Sequence, residues 1–216
     1  MCIYLFIFQV ARNINDLMMS ELLPTSPPKK YLEKLYINQQ KALEKMPRAR
    51  LAILLLGGSF NPIHLQHIAI FHIAREWLRQ NESVEVVAGF LVLTSDEYLA
   101  FKFRKTREDI IPFLRRLQLA EAACRDSDFV SAYPFPYAAA GELLLKLMNE
   151  TGLPGFMLCG ADMIMRQAYQ DFDVVVFERA GMEKQLQEAL HQRVGKPLSL
   201  DERQIMWGKR ARWWMD

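Results

Sequence analysis

Three of the four histidines in the chain crowd into the stretch 64–72, and two of them, His64 and His67, closely follow the pair Gly57 and Gly58. An imidazole can donate to a phosphate oxygen and stabilise the charge that grows as a phosphorus–oxygen bond breaks. Glycines supply the backbone freedom and the missing Cβ that let a chain approach a ligand closely. The combination does such chemistry only if the histidines stand at the start of a helix, where unpaired N–H groups and a partial positive charge attract anions. The same residues also suit a plain strand, glycine turn and helix of the kind many α/β domains contain without any ligand.

The elements around this stretch place it correctly. Leu51 to Leu56 is a short apolar run without charge, the pattern of a strand buried on both faces. Gly57 and Gly58 are expected to turn the chain as it leaves the sheet, and Pro62 delays the helix. From Ile68 the period changes: Ile70, Phe71, Ala74, Trp77 and Leu78 share one face of an amphipathic helix that runs to Asn81.

Residues 57–68, GGSFNPIHLQHI, closely resemble the signature of the nicotinamide/nicotinate mononucleotide adenylyltransferases, in which a Gly-Ser-Phe-Asn-Pro-Ile turn leads into a His/Thr-x-x-His element. Gln66 stands where one form of that motif has glycine, a glycine that eukaryotic-type members also lack. Neither a GxxxxGK[ST] loop nor a GxGxxG turn after a strand competes. The resemblance implies a Rossmann-like, doubly wound α/β nucleotidyltransferase fold with a mostly parallel sheet. It also implies transfer of AMP from ATP, with Mg²⁺, to nicotinamide or nicotinate mononucleotide. On that reading His64 and His67 hold the ATP phosphates, and Gly57, Gly58, Ser59 and Phe60 line the crevice.

A second segment, FMLCGADMI (156–164), resembles the family's Leu-Cys-Gly-Ala-Asp stretch, which implies that Gly160 and Asp162 contact the nucleotide. Physically, a carboxylate at the end of a parallel strand can accept both ribose hydroxyls, and Asp162 can equally cap a helix. Three weaker likenesses follow. Asp96 and Tyr98 match an Asp-x-Tyr loop whose following lysine reaches the mononucleotide phosphate, which nominates Lys102 or Lys105. Tyr133 and Phe135 occupy a loop where the family stacks an aromatic ring on the pyridine. Arg179, in an Arg-x-Gly turn, is expected to face the crevice. Near the C-terminus there is no good copy of the family's Ile-Ser-x-x-x-x-Arg phosphate element. Ser199 and Glu202 read instead as a capping box that starts a helix.

Further strands are expected at Ser83 to Leu93, Asp128 to Ser131, Phe156 to Cys159 and Val174 to Phe177. Helices are expected over Tyr31 to Met46, Asp109 to Arg125 and Ala138 to Thr151. In the first, Leu32, Leu35, Tyr36, Gln39, Leu43 and Met46 form the inward stripe. In the second, Leu114, Leu117, Ala120, Ala123 and Cys124 form the buried side, while Arg115 and Arg116 read as surface charge. Thr94 to Tyr98 reads as a loop at the carboxyl end of its strand. The domain plan is an N-terminal extension with a proline-rich linker (1–30), an accessory helix (31–47), the nucleotidyltransferase domain (48–195) and a divergent or truncated C-terminal segment (196–216).

Hydrophobic residues at 51% and charged residues at 24% describe a chain that can bury a real core. A formal charge of +2 gives no case for a nucleic-acid surface, and no apolar run approaches the roughly 20 residues of a membrane span. Residues 1–10 are apolar but lack the charged start of a secretory signal. Cys2, Cys124 and Cys159 are odd in number and far apart, which argues for a reducing compartment, cytoplasmic or nuclear, with organelle targeting open. A homo-oligomer is compatible with the sequence. Two other functions stay open: a nucleotidyltransferase with another phosphate acceptor, such as a pantetheine-phosphate or cytidylyl enzyme, and a non-catalytic or chaperone-like nucleotide-binding relative.

Overall fold

A single strand, β1 (Arg50–Gly58), lies at the centre of the molecule and shows why the rest assembles around it. Along it Leu51, Ile53 and Leu55 enter one apolar cluster, while Ala52, Leu54 and Leu56 enter another on the opposite face. Side chains alternate across a strand, so an unbroken apolar run needs helices on both sides of the sheet. The computed structural model describes residues 29–104, 109–136, 140–160, 163, 172–177 and 205–207.

In chain order these form α1 (Lys29–Lys45), β1, α2 (Leu65–Glu82), β2 (Val84–Leu93), α3 (Asp96–Phe103), α4 (Phe113–Ala123), β3 (Val130–Ala132), α5 (Ala140–Thr151), β4 (Gly155–Gly160), β5 (Val174–Phe177) and β6 (Ile205–Trp207). The sheet order is β3-β2-β1-β4-β5-β6, and every neighbouring pair is parallel. The chain therefore winds outward from β1 in both directions. The strand order reverses between β1 and β4, where an open α/β sheet leaves a crevice at the carboxyl ends of its strands.

One face of the sheet is covered by α1 and α5, through Leu32, Leu35 and Ala42 and through Leu143, Leu144 and Leu147. The other face is covered by α2 and α4, through Ile68, Phe71, Ala74 and Leu78 and through Ala120, with the α4 C-cap Cys124. The sheet separates Cys124 from Cys159, which belong to opposite clusters. Gly152, with φ +68°, ends α5 in the left-handed conformation that glycine adopts without cost, and its N–H bonds to Met148 O at 2.8 Å.

Several expectations need correction. The inward stripe of α1 is Leu32, Leu35 and Ala42, whereas Tyr36, Leu43 and Met46 are exposed. Polar residues fix the helix's rotation instead. Lys34 Nζ donates to the carbonyls of Cys124, Ser127 and Val130 at 2.7–2.9 Å, and Asn38 Nδ2 donates to Val87 O and Asp128 O. Val87 is the extra residue where the β1–β2 register shifts, so Asn38 satisfies a carbonyl next to a bulge.

The segment after β2 is a helix, α3, with Ser95 as its N-cap accepting from Tyr98 N–H, rather than a loop. The helix expected from Asp109 starts only at Phe113, because Pro112 is its N-cap, and Leu114 is 71% exposed. A helix after Ser199 does not extend through 205–207, since those residues form β6 against β5. Ser199 and Glu202 themselves lie outside the described residues. No helix among the described residues is long and apolar enough to cross a membrane.

Candidate active site at the carboxyl end of the central strand

The two glycines do not make the turn. Both are strand residues, with Gly57 opposite Val92 and Gly58 opposite Leu93, and Thr94 N–H bonds back to Gly58 O at 3.0 Å. The left-handed residue is Phe60, at φ +44°. Its ring folds back over Gly58, where an added Cβ would lie 2.8 Å from Phe60 Cζ, and it is 4% exposed. Gly58 is thus needed for the Phe60 ring, and the side chain of Phe60 is part of the floor rather than an open wall. The Asn61–Pro62 peptide is cis.

Asn61 pins the turn from outside. Its Nδ2 donates to Asp109 O and its Oδ1 accepts from Ile111 N–H, each at 2.8 Å. The chain then reaches His64, the N-cap of α2, in an extended conformation. Both predicted histidines therefore stand at a helix N-terminus beside the crevice, as their chemistry requires.

His64 and His67 stack with ring centroids 3.6 Å apart, and the Phe60 ring meets His67 edge-on at 4.8 Å. Half-burial, reinforced by the neighbouring His64, lowers the His67 pKa to about 4, against a smaller opposing effect of the His64 backbone. His67 is neutral at physiological pH on that account. Its Nδ1 accepts from His64 N–H at 3.2 Å, so the remaining proton of the neutral ring resides on Nε2. His72 lies elsewhere on α2, against the Phe129 ring at 5.0 Å and near Ser127 Oγ.

Lys102, from α3, comes to this turn: its Nζ donates to Ser59 Oγ at 3.0 Å. Gly160 ends β4 across the switch point from β1 and is half-buried. Asp162, Lys105 and Arg179 lie outside the described residues. Tyr133 is 1% exposed, with its ring packed in the core beside Phe135 at 5.9 Å, so it presents no ring face to a ligand. Phe135 is half-buried and remains the candidate for stacking.

Arg116 is the residue that sequence reasoning missed. It is wholly buried, not a surface charge. Its Nε donates to Ile111 O at 2.8 Å, Nη1 to Ser59 O at 2.9 Å, and Nη2 to Thr94 O at 2.9 Å and Asp96 Oδ1 at 2.6 Å. The second Asp96 oxygen accepts from Phe113 N–H at 2.9 Å, which satisfies the first turn of α4. An arginine at a helical position beside the exposed Arg115 gives no sign of this. The only hint is Asp96, a carboxylate placed where the chain leaves β2.

Comparison with known proteins agrees with the geometry. The family model described as cytidylyltransferase-like matches residues 55–190. A nicotinamide/nicotinic acid mononucleotide adenylyltransferase of Arabidopsis thaliana is 23% identical over 158 residues, covering 61% of this chain and 63% of the relative. Its counterpart in Oryza sativa subsp. japonica is 26% identical over 157 residues, 60% of each chain. A nicotinamide/nicotinic acid mononucleotide adenylyltransferase 2 of Danio rerio is 32% identical over 83 residues, 38% of this chain and 25% of the relative. The chain thus spans about 60% of the length of the two plant relatives. With a parallel sheet wound outward from β1, a His-x-x-His helix start at its carboxyl end and a family match over more than half its length, the chain belongs to the cytidylyltransferase-like family.

Proposed function

We propose that the protein transfers AMP from ATP to nicotinamide or nicotinate mononucleotide and releases pyrophosphate. The observation that carries this reading is the turn from Gly58 to His67 at the switch point of the sheet, which sets two imidazoles at one helix N-terminus. The names of the plant relatives supply the acceptor class.

The acceptor is already an anion, so no enzymic nucleophile is required. A mononucleotide phosphate oxygen forms a bond to the α-phosphorus of ATP while the bond from that phosphorus to the β-bridging oxygen breaks, and pyrophosphate carries the electron pair away. Catalysis then rests on alignment and on donors aimed at the growing charge. His67, neutral with its proton on Nε2, is such a donor, and His64 beside it supports the same phosphates. Lys102, at Ser59, provides a cation for the acceptor phosphate. Gly160 and Asp162 contact the nucleotide ribose, Phe135 stacks on the pyridine, and Lys105 and Arg179 are further candidates for the phosphates.

Among the described residues no three His, Cys, Asp or Glu side chains gather to hold a metal ion, and Asp96 is engaged by Arg116 and Phe113 N–H. These residues offer no protein cage for a cation. Mg²⁺ would enter as the companion of ATP, held by phosphate oxygens and water, where it would neutralise charge.

The test is pyrophosphate release by the 216-residue protein with ATP, Mg²⁺ and each mononucleotide in turn. Turnover with either acceptor supports the reading and ranks the two. Binding of ATP or mononucleotide without release would sink it in favour of a non-catalytic nucleotide-binding protein.

A further inference from the structure

Arg116 is the one charged side chain among the described residues that is completely buried, yet it lies beneath the crevice rather than in a distant core. Its guanidinium gathers acceptors from three places that the chain reaches separately: Ser59 after β1, Thr94 and Asp96 after β2, and Ile111 before α4. Charge-assisted bonds of this kind, in a fork of fixed geometry, orient their partners more firmly than neutral ones. The two loop ends that flank the crevice are therefore referred to a single rigid group.

One of these bonds has a directional consequence. Ser59–Phe60 is a trans peptide, and in a trans peptide C=O and N–H point in opposite directions across one plane. With Ser59 O drawn inward onto Nη1, the Phe60 N–H must point away from the buried guanidinium. Phe60 cannot swing to another orientation, because its ring is lodged over Gly58 and the next residue, Asn61, is tied to Asp109 and Ile111. Among the described residues that N–H has no hydrogen-bond acceptor.

We infer that Arg116 is a positioning residue: by holding the Ser59 carbonyl it aims the Phe60 N–H into the crevice as a fixed donor for a phosphate oxygen of the nucleotide. This inference rests on the phosphate-binding part of the proposed function and not on turnover. It accounts for an arginine in a place where an isolated charge would be costly, and four of its five N–H groups are satisfied there. Arg116 touches no substrate in this arrangement and acts only through the turn.

The test uses the full chain. Ser59–Phe60 is its one Ser-Phe pair, so labelling with carbonyl-¹³C serine and ¹⁵N phenylalanine isolates this single amide by NMR. Titration of the native protein with ATP should shift that signal downfield with saturation. An unmoved signal while ATP binding is seen by calorimetry would overturn the inference.

Arg116→Lys keeps the charge but cannot reach all four acceptors. In a variant folded at the assay temperature, the ATP Kd should rise about tenfold and, where the native protein turns over, kcat should fall about 10–100-fold, as misalignment of a donor predicts. A folded Arg116→Lys protein with native ATP affinity and native kcat would refute the role. If that variant does not fold, the native NMR titration alone decides. If the native protein binds ATP without turnover, the adenylyl-transfer reading fails, while the Phe60 shift and the loss of ATP affinity still judge Arg116.

Discussion

Replacing Gly58 by alanine puts a methyl group where the Phe60 ring already lies. The new Cβ would stand 2.8 Å from Cζ and 3.1 Å from both Cε atoms. Carbon atoms in good contact are about 3.5–4.0 Å apart, so the ring would have to retreat by about 0.7 Å or more. The ring has little room, because it is 4% exposed and also meets His67 at 4.8 Å. The backbone has little room either, since Ser59 O is held by Arg116 and Asn61 by Asp109 and Ile111. Overpacking of this sort costs about 1–3 kcal/mol. For a chain of this size that corresponds to a fall of about 2–12 °C in Tm. Urea and thermal unfolding measure the loss, and pyrophosphate release should fall in parallel because His67 moves with the ring. Adding Phe60→Leu to Gly58→Ala removes the clashing ring atoms and should recover part of the stability but not the activity. A Gly58→Ala protein with native Tm and native turnover would show that Phe60 does not depend on the bare glycine face.

His67→Ala should lower kcat at least about a hundredfold, by analogy with removal of a transition-state donor, with the circular dichroism spectrum unchanged; near-native turnover would remove His67 from the mechanism. The same residue makes stability depend on pH. Its folded pKa, about 4, lies below the usual 6.5, so the unfolded chain binds more protons between those values and stability falls as pH drops from about 6.5 toward 4. Allowing for its partial exposure to solvent, we expect about 1–2 kcal/mol over that range, and a His67→Gln protein should show a correspondingly flatter urea profile. Lys102→Ala should raise KM for the mononucleotide about tenfold or more with a smaller effect on KM for ATP, and equal changes for both substrates would assign its charge to neither one specifically.

The parts of this protein legible from its sequence are those whose cause is local. Six apolar residues without a charge, bounded by a glycine pair, fit a strand covered on both faces, and the shift to helical spacing after Pro62 marks the helix that carries the histidines, which begins at Leu65. The motif residues His64 and His67 could be assigned to a helix N-terminus for the same reason. Asn38 and Lys34 illustrate the opposite case: a polar helix face looks solvated in sequence, yet here it closes carbonyls left open by a bulge and by the end of α4. Tyr133 had the right position for a ligand-facing aromatic and went into the core instead.

What the sequence determined is the doubly wound sheet, its first strand and the two imidazoles at the start of the helix that follows it. Only the tertiary structure decided what holds that crevice in shape. Ser59 and Arg116 are 57 residues apart, and Ser59 and Lys102 are 43 apart. Periodicity records whether a residue faces inward, but a guanidinium finds four acceptors only after β1, β2 and α4 have set their carboxyl and amino ends side by side. The glycine at 58 follows the same rule: its need for empty space is written in the residue, and the Phe60 ring that fills the space is chosen by the fold.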